Sequence, residues 1–206
     1  MTPGPPSPSP PPAGSGEAGR LFELRAAAVS DFAEQAGAVA EACHAMAVRF
    51  HRGGKLIAFG TGGSSTDAQH VAVEFVHPVI VGKRALPAIS LTTDVATLTG
   101  VAARDGVAAI FAHQIRYLAE PADIALGICA DGDDLSVLAG LEAAARLGLL
   151  TIALAGGDGG AIAASPARSA ASAAMLSNFT ARLREYAFSA AGGPSVDGGK
   201  LLHHGE

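Results

Sequence analysis

Tryptophan is absent from the 206-residue chain, and cysteine and tyrosine occur only twice each. The two cysteines, Cys43 and Cys129, lie far apart in apolar surroundings and form no CxxC motif. This spacing argues against a disulfide framework and a cysteine-based zinc site, and it predicts free thiols in a reducing, cytoplasmic compartment. With so few aromatic residues, the core is expected to consist mainly of small and aliphatic side chains.

Long apolar runs and an excess of basic residues are also missing. No apolar stretch reaches the roughly 18 residues that a membrane-spanning helix requires. The formal net charge is −5 at pH 7, which provides no general attraction to nucleic acid. We therefore expect neither a membrane nor a nucleic-acid partner.

Charged residues make up only 16% of the chain, whereas hydrophobic residues make up 49%. A monomer of this composition would expose a large apolar surface to water, and burial between subunits would remove it. The composition therefore predicts a homo-oligomer.

The two ends of the chain differ in composition from its middle. Residues 1–19 are rich in proline, serine and glycine and contain too little apolar surface to offset the entropy of folding. This segment lacks the basic start and apolar middle of a signal peptide, so we expect a disordered arm. Residues 193–206 are expected to form a flexible tail, which leaves residues 20–192 as one domain.

The middle of the chain alternates between apolar runs and helical patterns. Apolar positions recur every three or four residues over 20–52 and predict one long N-terminal helix. Strands are predicted at 55–59, 86–91, 124–129 and 150–154, and helices at 65–76, 95–102, 107–118, 135–147 and 180–190. Continuous apolar strands separated by helices are typical of a parallel sheet covered on both faces. The expected fold class is therefore α/β, a three-layer αβα sandwich.

Residues 60–66, with the sequence GTGGSST, lie between a predicted strand and a predicted helix. Backbone N–H groups and hydroxyls in such a loop can converge on an anion at the helix N-terminus. A tight strand-to-helix turn without a ligand is the alternative interpretation. The segment has neither the lysine of a Walker loop nor the full glycine pattern of a dinucleotide site.

His70 and Glu74 are four residues apart on the following predicted helix and therefore share one face. An imidazole and a carboxylate at this spacing can bind a divalent metal ion or assist a proton transfer. A surface or packing pair is the alternative interpretation.

Together these segments resemble the SIS (sugar isomerase) family, and within it the phosphoheptose isomerases. The similarity rests on the stretches GTGGSSTDAQHVAVE, ALPAISLTTD, GICADGDD and LAGGDGG, which follow the family's order. The resemblance implies a five-stranded parallel sheet of flavodoxin-like type and a homotetramer with sites between subunits. It also implies a sugar phosphate as the substrate and zinc as the metal.

The resemblance further implies roles for individual residues. By position, the family's substrate-binding loop and turn correspond to Gly62, Gly63, Ser64, Ser65, Thr93 and Asp94. His70 matches a metal ligand. Glu74 matches either a second metal ligand or the catalytic base that moves a proton between two substrate carbons.

The sequence departs from the family in a second loop, where the hydroxyl-rich STSGNS is replaced by CADGDD at residues 129–134. Asp131, Asp133 and Asp134 are expected to repel a phosphate dianion at close range. A site for a hard cation with oxygen ligands and a solvated acidic loop are two other interpretations of these carboxylates.

Further departures lie outside this loop. Arg184 and Gly192 stand where the family has a metal-binding glutamine and an acid–base histidine. Pro78 replaces an expected arginine, and the pair at 103–104 replaces the family's Asn-Asp.

These departures favour a protein that binds a sugar phosphate or another carbohydrate derivative, with reduced or absent isomerase activity and weak or absent zinc binding. An active ketose–aldose phosphate isomerase is one alternative, which retention of His70 and Glu74 favours. A non-catalytic accessory protein with a protein partner, such as a metalloenzyme maturation factor, is the other.

Overall fold

The computed structural model of the chain describes residues 33–78 and 84–166, together with positions 16, 19, 20, 23, 26 and 30. The predicted arm at 1–19, apart from positions 16 and 19, lies outside the described residues. So do the predicted tail at 193–206, the predicted helix at 180–190 and the two departures at Arg184 and Gly192.

Strands and helices alternate along the described chain, as predicted. In chain order the elements are α1 (Ala36–His51), β1 (Leu56–Gly60), α2 (Gly63–Val76), β2 (Ala88–Ser90), α3 (Val95–Asp105), a 3-10 turn (Val107–Ala109), α4 (Ile110–Leu118), β3 (Ile124–Cys129), α5 (Leu135–Arg146), β4 (Leu150–Ala155) and α6 (Gly160–Ala164). Among the described helices, none has the length and apolar character to cross a bilayer.

The strands form one parallel sheet in the order β2-β1-β3-β4. Leu56 of β1 is paired with Ala88 on one side and with Ile124 on the other, and Ile124 is paired in turn with Leu150. The α/β class with a parallel sheet is thereby confirmed. The described residues contain four strands, one fewer than the resemblance implies.

Two apolar cores, one on each face of the sheet, create three layers. Ile57 and Phe59 of β1 pack with residues of α4 and α5, and the Phe59 and Phe111 ring centroids are 5.1 Å apart. Leu56 and Ala58 point the other way and pack with residues of α1 and α2. Because successive strand side chains alternate between faces, a strand buried on both faces must be apolar throughout. The predicted αβα sandwich is confirmed.

Both cysteines are free and buried, in agreement with the prediction of unpaired thiols. Burial raises the pKa of the Cys43 thiol to about 11, because a low-dielectric environment disfavours the thiolate. Cys43 is therefore an unreactive core residue.

Three of the differences between predicted and observed element boundaries have a cause that is visible in the sequence. The predicted long helix over 20–52 is interrupted by a turn at Gln35, where Gly37 lowers the local helix propensity. The predicted strand at 86–91 is shortened to β2, because Pro87 has no N–H to donate to a ladder. The predicted helix at 107–118 begins with the 3-10 turn, after Gly106 with a φ of 87°.

The order of the strands fixes where a ligand site is expected. The chain runs from β1 to β2 on one side and then crosses over β1 to reach β3 on the other side. In open parallel sheets, ligands bind at the carboxyl ends of the strands where the direction of winding reverses. Here that point is the crevice between β1 and β3, flanked by the first loop (residues 60–66) and the second loop (residues 129–134).

Candidate functional site

The first loop begins with a close approach between the backbones of β1, β3 and α2. A Cβ placed on Gly60 would lie 2.7 Å from the carbonyl oxygen of Ile128 and 2.9 Å from Cβ of Ser64. Only glycine fits between these atoms. Gly60 therefore brings the start of α2 against the carboxyl end of the sheet.

The N-terminus of α2 is open to solvent. Its N-cap residue, Gly62, provides no side-chain cap and has a φ of 54°, a conformation that favours glycine. Gly62 and Gly63 are exposed, whereas Ser64 is buried. The Ser65 hydroxyl donates a hydrogen bond of 2.7 Å to the carbonyl oxygen of Gly62. The predicted substrate loop thus has exposed backbone N–H groups near a helix N-terminus, where anions and hydroxyl oxygens are stabilised.

His70 and Glu74 form a pair on α2, with 3.5 Å between Nε2 and Oε1. The His70 side chain is 47% exposed and that of Glu74 is 16% exposed. Ser64 and Glu74 are ten residues apart on the same helix, or about 15 Å along its axis. The structure therefore confirms that His70 and Glu74 share a helix face. Within one chain, however, Glu74 lies well away from the first loop.

Thr93 and Asp94 lie in the turn between β2 and α3, and both are exposed. The Thr93 hydroxyl donates to the carbonyl oxygen of Ser90 at 3.0 Å. Asp94 is the N-cap of α3 and accepts hydrogen bonds from the Thr97 hydroxyl at 2.6 Å and the Thr97 N–H at 3.0 Å. These hydrogen bonds, the side-chain one first, lower the pKa of Asp94. The carboxylate thus has a structural role in addition to the predicted contact with substrate.

A polar network that the sequence analysis missed joins the first loop to this turn. Gln69 donates from Nε2 to the Thr92 hydroxyl at 3.0 Å, and the hydroxyls of Thr92 and Ser90 are 2.8 Å apart. Thr92 also donates to the carbonyl oxygen of Ser65 at 3.4 Å. One residue in the sequence could have indicated this network: Ser90 is a polar residue at the end of an apolar strand, on the edge of the sheet where ligands bind.

Asp131 and Asp133 of the second loop accept hydrogen bonds from the loop itself, from the end of β3 and from α6. Asp131 accepts from the Asp133 N–H at 3.0 Å and from the Cys129 thiol at 3.2 Å. Asp133 accepts from the N–H of Ala161, in α6, at 2.8 Å. The loop is therefore held by its own carboxylates.

The third aspartate, Asp134, is the N-cap of α5 and spans the crevice. Its carboxylate accepts from the Ser136 N–H at 2.8 Å, the Ser136 hydroxyl at 2.7 Å and the Val137 N–H at 3.1 Å. The Thr61 hydroxyl, in the first loop, donates to the other oxygen. Partial burial raises the pKa of Asp134, but the hydrogen bonds from Thr61, Ser136 and Val137 outweigh it and lower the pKa below its ordinary value.

These contacts change the interpretation of the acidic loop. Asp131 and Asp133 are exposed, as expected for a solvated acidic loop, but each carboxylate of the loop also accepts a hydrogen bond from a specific donor. The side chains also give no support for a hard-cation site: over residues 33–78 and 84–166, no group of three or more His, Cys, Asp or Glu residues is placed to hold a metal ion.

The part of the chain that contains both loops matches a known protein family. Residues 22–156 match the SIS domain family. The chain belongs to the SIS domain family. The resemblance stated from the sequence motifs is therefore confirmed for the segment that contains both loops.

Relatives of this SIS-domain chain include phosphoheptose isomerases. The protein of that name from Desulfovibrio desulfuricans is 44% identical over 133 residues, which cover 65% of this chain and 63% of the relative. The one from Aquifex aeolicus is 39% identical over 141 residues, which cover 68% and 72%. The chain thus aligns with less than two thirds of the Desulfovibrio protein.

Solved structures support the same relationship. The phosphoheptose isomerase from Neisseria gonorrhoeae superimposes with a TM-score of 0.69 at 26% identity, covering 85% of this chain and 95% of that one. The one from Francisella tularensis gives a TM-score of 0.66 at 29% identity, covering 85% and 96%. The SIS domain described here is therefore similar to the phosphoheptose isomerases in both sequence and fold.

Proposed function

We propose that this SIS-domain protein binds a carbohydrate derivative at the carboxyl edge of its sheet, with reduced or absent isomerase activity. The observation that carries the proposal is the difference between its two loops. The N-terminus of α2 has no side-chain cap, whereas the donors at the N-terminus of α5 are taken up by Asp134. One loop is available to a ligand, and the other has departed from the family's hydroxyl-rich pattern.

The names of the relatives support a carbohydrate ligand. Curated relatives that are 38–44% identical carry the name phosphoheptose isomerase, and this chain keeps the first loop on which the resemblance rests. A ligand in this position would receive backbone N–H groups from Gly62 and Gly63, and hydroxyl contacts from Ser64, Ser65 and Thr93. Sugar phosphates and unphosphorylated sugars are both candidates.

An active ketose–aldose phosphate isomerase is the second candidate, and the His70–Glu74 pair favours it. A carboxylate positioned beside a substrate carbon can act as a general base, which is the role the resemblance implies for Glu74. Because Glu74 lies about 15 Å along α2 from Ser64, a second subunit would be needed to complete a compact site. We therefore propose a cytoplasmic homotetramer with sites between subunits.

Zinc is a poor match to the described residues. A zinc site normally needs three or four protein ligands, and His70 and Glu74 supply two. The described part of the chain offers no cluster of three such residues, so its own side chains do not form a complete zinc site. We propose that zinc binding is weak or absent.

A ligand screen with an isomerase assay tests the proposed function. Thermal-shift and calorimetric titrations with sedoheptulose, sedoheptulose 7-phosphate and related sugars, with and without Zn²⁺, should reveal saturable binding that does not depend on the metal. Ser64→Ala should weaken that binding by about tenfold, or about 1.4 kcal/mol. Thr99→Ala removes an exposed hydroxyl of α3 that donates to the carbonyl oxygen of Val95, and it should leave binding unchanged.

Two outcomes would contradict the proposal. If no carbohydrate binds, or if both variants bind as the unaltered protein does, the first loop is not a ligand site. If sedoheptulose 7-phosphate is isomerised at a rate comparable to that of a phosphoheptose isomerase assayed beside it, the second candidate is correct.

A further inference from the structure

The crevice between β1 and β3 already contains an anion, and it belongs to the chain. Asp134 is the last residue of the second loop, and Thr61 is in the first loop on the other side of the crevice. The Thr61 hydroxyl donates to one oxygen of Asp134, while the N–H groups of Ser136 and Val137 donate to the other. The two loops are therefore joined through one carboxylate.

The surroundings of this carboxylate are those of a bound anion. Four donors converge on it: two hydroxyls and two N–H groups from the first turn of α5. Convergent hydroxyls and backbone N–H groups at a helix N-terminus are also what a protein uses to hold a phosphate. Asp134 and a phosphate would need the same donors, and their like charges would repel each other at this distance.

The three aspartates of the second loop are not equivalent in this respect. Asp131 accepts hydrogen bonds from its own loop, and Asp133 accepts from α6. Asp134 is the one of the three that is joined to the first loop, through Thr61. We therefore expect Asp134, which takes up donors of the first loop and of α5, to affect an incoming phosphate more than Asp131 or Asp133.

A hydroxyl group meets a different environment in the same crevice. An ionised carboxylate is an acceptor with several lone pairs, and a sugar hydroxyl can donate to one that Thr61 and α5 leave free. A neutral polyol can thus approach without displacing Asp134, whereas a phosphate cannot.

We propose that Asp134 is a specificity-determining residue that occupies the anion position between the two loops, so that the ligand group entering this crevice is an uncharged hydroxyl and not a phosphate. The proposal rests on the proposed function in one respect, namely that the ligand is a carbohydrate. It goes beyond that function by naming the chemical class of the group and the residue that selects it.

Titration of inorganic phosphate into three proteins tests this assignment, with calorimetry or phosphorus NMR as the measurement at constant ionic strength. The unaltered protein should show no saturable phosphate binding at millimolar concentrations. Asp134→Ser removes the carboxylate but keeps a side chain that caps helices well, and phosphate affinity should rise at least about tenfold. Asp131→Asn removes the same charge nearby and keeps an oxygen that can accept from Asp133, and it should leave phosphate affinity unchanged.

Each other result overturns the assignment. An equal rise in phosphate affinity in both variants would mean that the loop repels phosphate through its general charge. If Asp134→Ser folds but its phosphate affinity does not rise, the donors do not form an anion site. Should Asp134→Ser fail to fold by circular dichroism, the unaltered protein still decides. Saturable phosphate binding, or sedoheptulose 7-phosphate binding about tenfold tighter than sedoheptulose, would show that Asp134 does not exclude phosphate. If no sugar binds at all, the proposed function is wrong, but the phosphate titrations still test whether Asp134 excludes phosphate.

Discussion

Asp94 and Asp134 each place a carboxylate at the start of a helix that follows a strand. Their hydrogen bonds go to the first turn of α3 and α5, respectively, and both groups have a lowered pKa. The hydrogen bonds stabilise the charged form, because the donors carry partial positive charge and lie near the positive end of a helix dipole. Each carboxylate therefore couples the folded state to pH.

The sign of this coupling predicts a loss of stability in acid. A pKa that is lower in the folded state stabilises the protein at pH values above the unfolded pKa, near 4. That contribution disappears as the pH falls through the folded pKa. The free energy of unfolding, measured by urea denaturation, should therefore decrease less between pH 7 and about pH 3 for Asp94→Ser than for the unaltered protein. Serine keeps the helix cap but has no charge to lose.

Asp94→Ala provides the comparison for that variant. It should lower the urea midpoint at pH 7, because the Thr97 N–H and hydroxyl lose their acceptor, while Asp94→Ser should lower it less. If all three proteins lost the same stability on acidification, Asp94 would not contribute to the pH dependence.

The candidate site shows what sequence patterns predict at the residue scale. The His70–Glu74 pair was predictable because a spacing of four places both residues on one helix face. The hydrogen bond between Thr61 and Asp134 was not predictable, because the two residues are 73 positions apart and meet only when β1 and β3 pair. A count of carboxylates predicted repulsion by the second loop, but it could not distinguish Asp134 from Asp131.

Strands β1, β3 and β4 were predictable at the element scale because nearly all of their residues are buried, so their sequences are apolar throughout. Strand β2 was placed correctly but predicted too long. It forms one end of the described sheet, and Ser90 is its one buried residue. Beyond it, Leu86 packs against one core and its N–H donates to the carbonyl oxygen of Phe75 in α2, while Leu91 packs into the other core and its N–H donates to Ala58 of β1.

Helix α5 packs so closely against the sheet that one of its positions must be glycine. A Cβ on Gly140 would lie 2.7 Å from Cε2 of Phe59 and 3.1 Å from Cβ of Phe111. Gly140→Ala should therefore lower the free energy of unfolding by about 1–3 kcal/mol, the usual cost of overpacking a core. Chemical denaturation monitored by circular dichroism would measure it.

Gly100 of α3 is the matched control for this substitution. A Cβ there would meet nothing within 4 Å, and alanine has the higher helix propensity. Gly100→Ala should raise the free energy of unfolding by up to about 1 kcal/mol. Equal effects of the two substitutions would mean that α5 can move away from Phe59 at no cost.

The whole molecule is expected to be an oligomer. Large apolar side chains are exposed on α2 and α4, including Val73 at 49%, Val76 at 47%, Tyr117 at 77% and Leu118 at 49%. Burial of such surfaces between subunits is favourable, and closed symmetric assemblies are the usual outcome. Light scattering coupled to size exclusion should give the mass of a tetramer at micromolar concentration. A single monomer peak would contradict the prediction.

The position of β1 inside the sheet has a consequence for how the chain is made. Leu56 of β1 pairs with Ile124 of β3, which is 68 residues further along the chain and leaves the ribosome later. At synthesis rates of about 5–20 residues per second, the edge of β1 that pairs with β3 remains unpaired for about 3–14 seconds after β1 is made. Ribosome-bound chains that end before β3 should therefore be the ones that chaperones bind most strongly, because they present a fully apolar strand without its partner.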